Sequence, residues 1–498
     1  MKAWLFLGVG LTLAGCAFPL RPIDGSATVA AFEQIRTNPP RLRMFLAAMP
    51  KGADLHMHLA GAVYAESNIE AGMAAGDCLS RASQGIVPPP CDSAASPPLS
   101  EVVMNRSLGA LAIDWQSMRN FHPTPGLTAH DQFFQAFGRL GPSRKAGNLL
   151  AEVLNQAGSE HVRHVEVMTK FAASRVEALA SDLPWSGSFD MQFEKLEQRG
   201  LAALVNPASA EVDRVIASAR KIMDCAGVAP QPGCAVSLGL LQEINRGAPP
   251  EMVAAQIAFA FMLAAANPHI VGINIDSPED SFIALRDYSL HMSMIGAIAQ
   301  RYPTVGVALH AGELTLGLVP PDQLRSHIRE AIEVGRAQRI GHGLDVAYED
   351  EAMQLLHEMA RAKVAVEICL TSNDLILGVR GTRHPFPLYM QEAVPTVLST
   401  DDAGIERIDL THEYERAVSD YHLDYKAVKA LSRRSLEYSF LPGASLWDDI
   451  AMGTMVSACS TLQGNSCNTY LASSVKASQE WNLEQDFLRF EASFERAM

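Results

Sequence analysis

Short apolar runs recur along this chain and read as buried strands. The first lies in Met49-Pro50-Lys51-Gly52-Ala53-Asp54-Leu55-His56-Met57-His58-Leu59. Seven more follow at 163–167, 235–242, 270–275, 305–309, 339–341, 364–368 and 396–399. Helical periodicity separates most of them and is clearest at 251–266 and 321–335. Eight strands alternating with helices predict an α/β fold, the (β/α)8 TIM barrel. A doubly wound open sheet is the alternative, but no Gly-x-Gly-x-x-Gly follows any of the runs.

Outside the alternation the pattern changes. Residues 17–45 read as a tether and one helix, 27–36, stopped by Pro39-Pro40. From 60 to about 160 no strand is expected, and Pro88-Pro89-Pro90 and 93–100 mark loops. This is a long, helical insertion after the first strand, where a barrel would build the roof of its pocket. Within it, 131–140 predicts a helix whose Phe133, Phe134 and Phe137 serve either core packing or a lid. After Asp409 the chain is helical to Phe440, and the tail to Met498 reads as helices packed outside the barrel. The expected division is 1–15 signal, 16–45 tether and helix, 46–440 barrel with the insertion, and 441–498 helical extension.

The chain's 498 residues, 48% hydrophobic and 19% charged, leave ample length for a large core. A net charge of -15 with no long basic run argues against nucleic acid as a partner. It is compatible with a neutral small substrate. Met1-Lys2 and the apolar run through Leu13 form a secretory signal, too short for a mature membrane span. Leu13-Ala14-Gly15-Cys16 resembles a bacterial lipoprotein processing box, which would lipidate Cys16. Ala17, where an Asp would favour the inner membrane, points to the outer membrane and a periplasm-facing enzyme. Export suits the remaining cysteines. Cys78 with Cys91, Cys225 with Cys234, and Cys459 with Cys467 sit close in sequence, in loops that suit disulfides. Cys369 is left over in an apolar strand, as a buried thiol.

The chemistry gathers where the runs end. His56 and His58 stand two apart at the end of the first strand, so both imidazoles share a face. The fifth ends in His310-Ala311-Gly312-Glu313, the sixth in Gly341-His342-Gly343, the seventh in Thr371-Ser372-Asn373, and the eighth in Thr400-Asp401-Asp402. Barrel enzymes assemble their sites from the C-terminal ends of several strands. Three histidines and a carboxylate suit Zn²⁺ with one position left for water. Adjacent Asp401 and Asp402 cannot point the same way, so one can bind metal while the other meets substrate. His327 and His357 are expected to be solvated or packed, and His384, before Pro385, to be structural. A two-metal amidase or phosphoesterase is disfavoured, because none of the expected strands ends in a suitable bridging Lys.

These motifs resemble the adenosine deaminase family of the amidohydrolase superfamily. The resemblance runs from about Met49 to Phe440 and includes Pro50-Lys51-Gly52, Arg339-Ile340-Gly341-His342-Gly343, Glu367-Ile368-Cys369-Leu370-Thr371-Ser372-Asn373 and His384-Pro385. The signal and extra cysteines look most like the secreted, growth-factor-related branch. The resemblance implies one zinc per chain, held by His56, His58, His310 and Asp401. It implies Glu313 as proton donor to the purine ring, His342 orienting the attacking hydroxide, and Asp402 on the imidazole nitrogen of the purine. It further implies hydrolysis of adenosine, and of 2'-deoxyadenosine, to inosine and ammonia. Two departures touch the ligand. An acidic residue that helps bind the ribose is replaced by Ala60, and a glycine whose N–H meets the purine by Ser277, without glycine's freedom. Adenine or another 6-aminopurine is therefore the alternative substrate, and a cell-surface purine-binding module the alternative class.

Overall fold

The computed structural model describes residues 25–460 and 465–495; the signal segment and Cys16 lie outside them. Each of the eight expected runs is a strand. They are β1 Lys51–His58, β2 Val162–Thr169, β3 Ser237–Asn245, β4 Ile270–Asp276, β5 Gly306–Ala311, β6 Arg339–His342, β7 Ala365–Ile368 and β8 Thr396–Leu398. All neighbours pair in parallel, in chain order. Where β8 ends, the Asp401 N–H donates to His56 O at 2.9 Å, so the sheet curls into a nearly closed barrel. Helices cover the outside.

Several local expectations change. Pro39-Pro40 does not end the N-terminal helical region. After α1 (Ser26–Ile35) it opens a second helix, α2 (Pro39–Ala48), where proline's missing N–H has no partner to lose and the Asn38 side chain accepts from Arg41 N–H. The stretch from 60 to 160 is mostly helical, but holds a short hairpin of Cys78–Ser80 and Gly85–Val87 beside the Cys78–Cys91 disulfide. The helix expected at 131–140 is α3, Ala129–Phe137, begun by a capping box between Thr128 and Asp131. The stretch at 321–335 divides into a 3-10 turn, Pro321–Leu324, and a helix, His327–Glu333. The helix α4, Pro250–Ala266, is apolar nearly all round because β3 and β4 cover one side and outer helices the other.

At the C-terminal end, α5 (Leu370–Leu377) follows β7 and α6 (Tyr425–Glu437) packs against β1 and β8. The tail is not purely helical. A small ribbon of Trp447–Asp449 and Thr454–Met455 precedes a short helix and α7, Val475–Glu495. The helix α7 returns to α1, α2 and α6, where Phe32, Phe45, Tyr425, Phe490 and Phe494 pack edge to face or tilted. The three disulfides are Cys78–Cys91, Cys225–Cys234 and Cys459–Cys467, as expected, and Cys369 is free and buried. No helix among the described residues is long and apolar enough to cross a membrane.

Candidate metal and catalytic centre

The C-terminal ends of the strands surround a cavity of about 510 Å³. His58, His310, Glu313, His342, Asp401 and Asp402 line one side of it, and Ser277 and Asp276 another. Phe133, Phe134 and Phe137 of α3 form part of its wall with Ile376. Phe133 also packs with Ala136, Ile376 and Ile405, so α3 is both core and roof.

The histidines of β1 and β5 are held in one tautomer by their outer nitrogens. His56 Nδ1 lies 2.7 Å from Glu367 Oε2, His58 Nδ1 2.6 Å from Glu243 Oε1, and His310 Nδ1 2.7 Å from Asn274 Oδ1. Those oxygens accept, so each Nδ1 carries the proton and each Nε2 presents a lone pair. The Nε2 atoms converge. His58 Nε2 lies 3.2 Å from His310 Nε2, and Asp401 Oδ1 is 3.7 Å from His56 Nε2 and 3.6 Å from His58 Nε2. His56 Nε2 is buried and has no hydrogen-bond partner. Lone pairs and a carboxylate facing one another in a buried site call for a cation. The donor atoms of His56, His58 and Asp401 fall within 4.8 Å of each other. A metal ion fits this donor set. The second layer of carboxylates is the usual support for metal-binding imidazoles.

Electrostatics agree with geometry. Burial drives His310 well below the ordinary imidazole range, toward the neutral form a ligand needs. Burial would do the same to His58, but the carboxylates of Asp402, Glu243 and Asp401 outweigh it and hold that group up at about 10. This corner of the cavity therefore demands positive charge, which a proton or a metal ion supplies. Glu313 is raised well above the ordinary carboxyl range by burial and by the negative charges of Asp401 and Glu279. The shift favours the protonated carboxyl. Its Oε1 stands 3.7 Å from His342 Nε2. Asp402 is likewise raised well above its ordinary range, chiefly by burial, and its Oδ1 has no partner.

His342 is wired the opposite way from the other three. The Phe386 N–H donates to His384 Nδ1 at 3.0 Å, so the proton of His384 sits on Nε2. That Nε2 donates to Asn373 Oδ1 at 3.0 Å, which turns the Asn373 amide nitrogen toward His342 Nδ1 at 3.1 Å. His342 Nδ1 then accepts, and its Nε2 carries a proton into the cavity. Burial lowers both His342 and His384 to about 3, so both stay neutral. His384 is structural, as expected, but in the service of this relay. Gly341 is required here because a Cβ would lie 2.7 Å from the His56 ring.

Behind Glu313 the Glu279 carboxylate accepts the N–H of Gly312 at 3.1 Å and of Glu313 at 3.0 Å. His327 Nδ1 meets Glu279 at 2.6 Å, and the His327 ring stacks on Tyr288 at 3.7 Å. His327 is packed, as expected, yet it supports the strap that carries the acid. His357 is largely exposed. Ser277 corrects an expectation. It keeps the left-handed conformation, φ 80°, that glycine would take freely, and ties its hydroxyl to Asn245 Oδ1 at 2.9 Å. A second correction is Lys170. It follows directly on the end of β2, lines the cavity, and bonds Asp276 at 2.7 Å. No sequence pattern had marked Glu243, Asn274 or Lys170 as site residues, whereas Glu279 stands where the resemblance places a glutamate. A carboxylate inside an otherwise apolar strand, as at Glu243, was the available signal, since burial without a partner is costly.

Comparison with known proteins follows the same line. The family model for adenosine deaminase matches residues 209–448. The adenosine deaminase of Clostridium perfringens is 34% identical over 135 residues, which is 27% of this chain and 37% of that protein. The match thus spans little more than a third of that relative's length. Among solved structures, the adenine deaminase of Arthrobacter aurescens aligns over 79% of this chain and 94% of its own, with 19% identity and a TM-score of 0.50. The N6-methyl-AMP deaminase of Arabidopsis thaliana aligns over 80% and 94%, with 18% identity and a TM-score of 0.51. These two likenesses are of fold. The sequence matches thus liken residues 209–448 of this chain to the adenosine deaminase family, and the barrel and its strand-end motifs agree with that likeness.

Proposed function

We propose that this chain is a zinc-dependent deaminase that hydrolyses adenosine and 2'-deoxyadenosine to inosine, or 2'-deoxyinosine, and ammonia. The observation that carries the reading is the pairing of the convergent Nε2 lone pairs with the buried Glu313 carboxyl beside them, whose pKa burial raises. His56, His58, His310 and Asp401 would hold one zinc ion. When bound, zinc would lower the pKa of a water to about 7 and so supply a nucleophile at neutral pH. Glu313 hands its proton to the ring nitrogen beside the amino-bearing carbon as oxygen adds to that carbon. Negative charge then never builds on the ring. His342 offers its Nε2–H to the incoming oxygen and fixes its approach. Asp402, held protonated, donates to the imidazole nitrogen of the purine, and the Ser277 N–H meets the six-membered ring. Ammonia leaves as the C–N bond breaks, and the keto product remains.

Ala60 lines the cavity and offers the ribose no acid, which motivates adenine or another 6-aminopurine as the second reading. Ammonia release from adenosine, 2'-deoxyadenosine, adenine and AMP separates the cases. The expected result is turnover of both nucleosides, one zinc per chain, and loss of activity on chelation that zinc restores. Turnover of adenine alone would transfer the assignment to the free base. Purine binding with no ammonia from any of them would make the chain a binding module. We also propose that the protein is anchored to the outer membrane through Cys16, facing the periplasm. Cys16→Ser should then release it from the membrane fraction or block its processing, and unchanged membrane association would refute the anchor.

A further inference from the structure

We infer that Lys170, with the Asp276 carboxylate that holds it, forms the subsite for a neutral, hydroxylated substituent on the purine. The pair therefore selects nucleosides over nucleotides. The inference rests on the purine reading above and names the part of the substrate that reading leaves open.

The order of strands round the barrel sets where the substituent lies. Glu313 follows β5, the Ser277 N–H follows β4, and Asp402 follows β8. A purine held at one ring nitrogen by Glu313 and at its first imidazole nitrogen by Asp402 points its second imidazole nitrogen away from β5. That second nitrogen carries the sugar. Its substituent lies between Asp402 and Ser277 on the side away from β5, above the ends of β1, β2 and β3. The cavity lining there is Ala60 after β1, Thr169 and Lys170 at the end of β2, and Glu243 on β3. Ala60 offers no hydrogen bond from its side chain, so the charged donor available to the substituent is Lys170.

The surroundings of Lys170 set what it can bind. Its Nζ lies 2.7 Å from Asp276 Oδ2 and 4.0 Å from Glu243 Oε2, with the side chain about one third exposed. An ammonium has three donors, and one bond to Asp276 leaves donors for the cavity. Asp276 and Glu243 both face this rim, and Lys170 and His58 are already engaged as their partners. Arg144, also near it, directs its guanidinium to Ala60 O at 2.5 Å and Asn68 Oδ1 at 2.8 Å. A phosphate would approach both carboxylates and compete with Asp276 for the ammonium. A hydroxyl can accept from Lys170 and donate to a carboxylate, and so satisfies both.

The test measures kcat/KM of the zinc-loaded protein for adenosine, its 2'-, 3'- and 5'-deoxy analogues, and AMP. Wild type should turn over adenosine at least about a hundredfold better than AMP. Lys170→Met, which keeps the length and loses the charge, should lower kcat/KM for adenosine about tenfold or more, mainly through KM. On the one deoxy analogue that lacks the contacted hydroxyl, the same substitution should cost almost nothing further. Asp276→Asn should narrow the gap between adenosine and AMP. An equal loss on adenosine and all three analogues would mean that Lys170 only braces Asp276, and AMP as the preferred substrate would mean that it binds phosphate. Either result overturns the subsite while leaving the deaminase reading intact. Absence of turnover on every compound defeats the deaminase reading itself.

Discussion

Two clusters of buried polar groups, joined by one residue, are built on opposite terms. Within the barrel, Arg339 bonds Glu367 at 2.5 Å, Glu166 at 2.6 Å and Tyr438 O at 3.0 Å, and stacks over the Phe440 ring at 3.9 Å. Glu166 also accepts the Phe440 N–H at 2.5 Å, and its carboxyl is held down at about 2: burial would raise it, but the Arg339 charge outweighs that. Every charge in that cluster is answered. At the strand ends, His56 Nε2, His342 Nε2 and Asp402 Oδ1 are buried without partners. Glu367 belongs to both, with Oε1 on Arg339 and Oε2 on His56. Satisfied polar groups thus brace groups that are left unsatisfied. The contrast teaches that burial of a charge does not by itself mark function; here the unpartnered buried atoms matter because they converge on one cavity.

The comparison can be broken at either end. The largest effect is expected at the satisfied cluster. Arg339→Met leaves Glu166 and Glu367 buried without a counter-charge and should remove about 3–5 kcal/mol of stability, read from urea unfolding. A loss under about 1 kcal/mol would show that the cluster braces nothing. Next comes Glu313→Gln. It keeps size and a hydrogen bond but has no proton to give, so kcat should fall by at least about a hundredfold while zinc and substrate binding stay near wild type. His310→Ala should lose zinc and activity together. Because Glu313 works in its protonated form and its pKa is raised, wild-type turnover should decline as pH rises through that value. If Glu313→Gln sheds zinc, Glu313 is a ligand; if it turns over normally, the acid is elsewhere.

The smallest effect tests the relay. His384→Leu removes the donor that orients Asn373, and His342 loses its enforced tautomer. A fall in kcat of about five- to tenfold is expected, with zinc content unchanged. His384→Gln, whose amide can still donate to Asn373, should recover most of it. Equal activity in wild type and His384→Leu would show that the tautomer needs no enforcement.

The barrel and the residues at its strand ends were legible in the sequence, while Glu243, Asn274 and Lys170 behind and beside them were not. Eight apolar runs between helical stretches leave little choice of fold, and every candidate side chain sat at or just past the end of such a run. Residues such as His310 and Glu313 stand three apart in one short motif and so were legible together. The Pro39-Pro40 pair was misread because proline serves the first turn of a helix as readily as it ends one, and only the packing of α2 decides between them. Tertiary structure alone decided which partners the site residues take. Glu243 and His58 lie 2.6 Å apart, and Glu279 sits behind Glu313, across gaps in sequence that no local pattern spans. Nor does any spacing reveal that Phe386, through His384 and Asn373, sets the proton on His342. A tautomer depends on which atom accepts and which donates at about 3 Å, and curling of the sheet fixes that geometry. For the same reason Lys170 entered the cavity unannounced: it is one lysine past a strand end until the barrel closes and turns that end toward the metal side of the site.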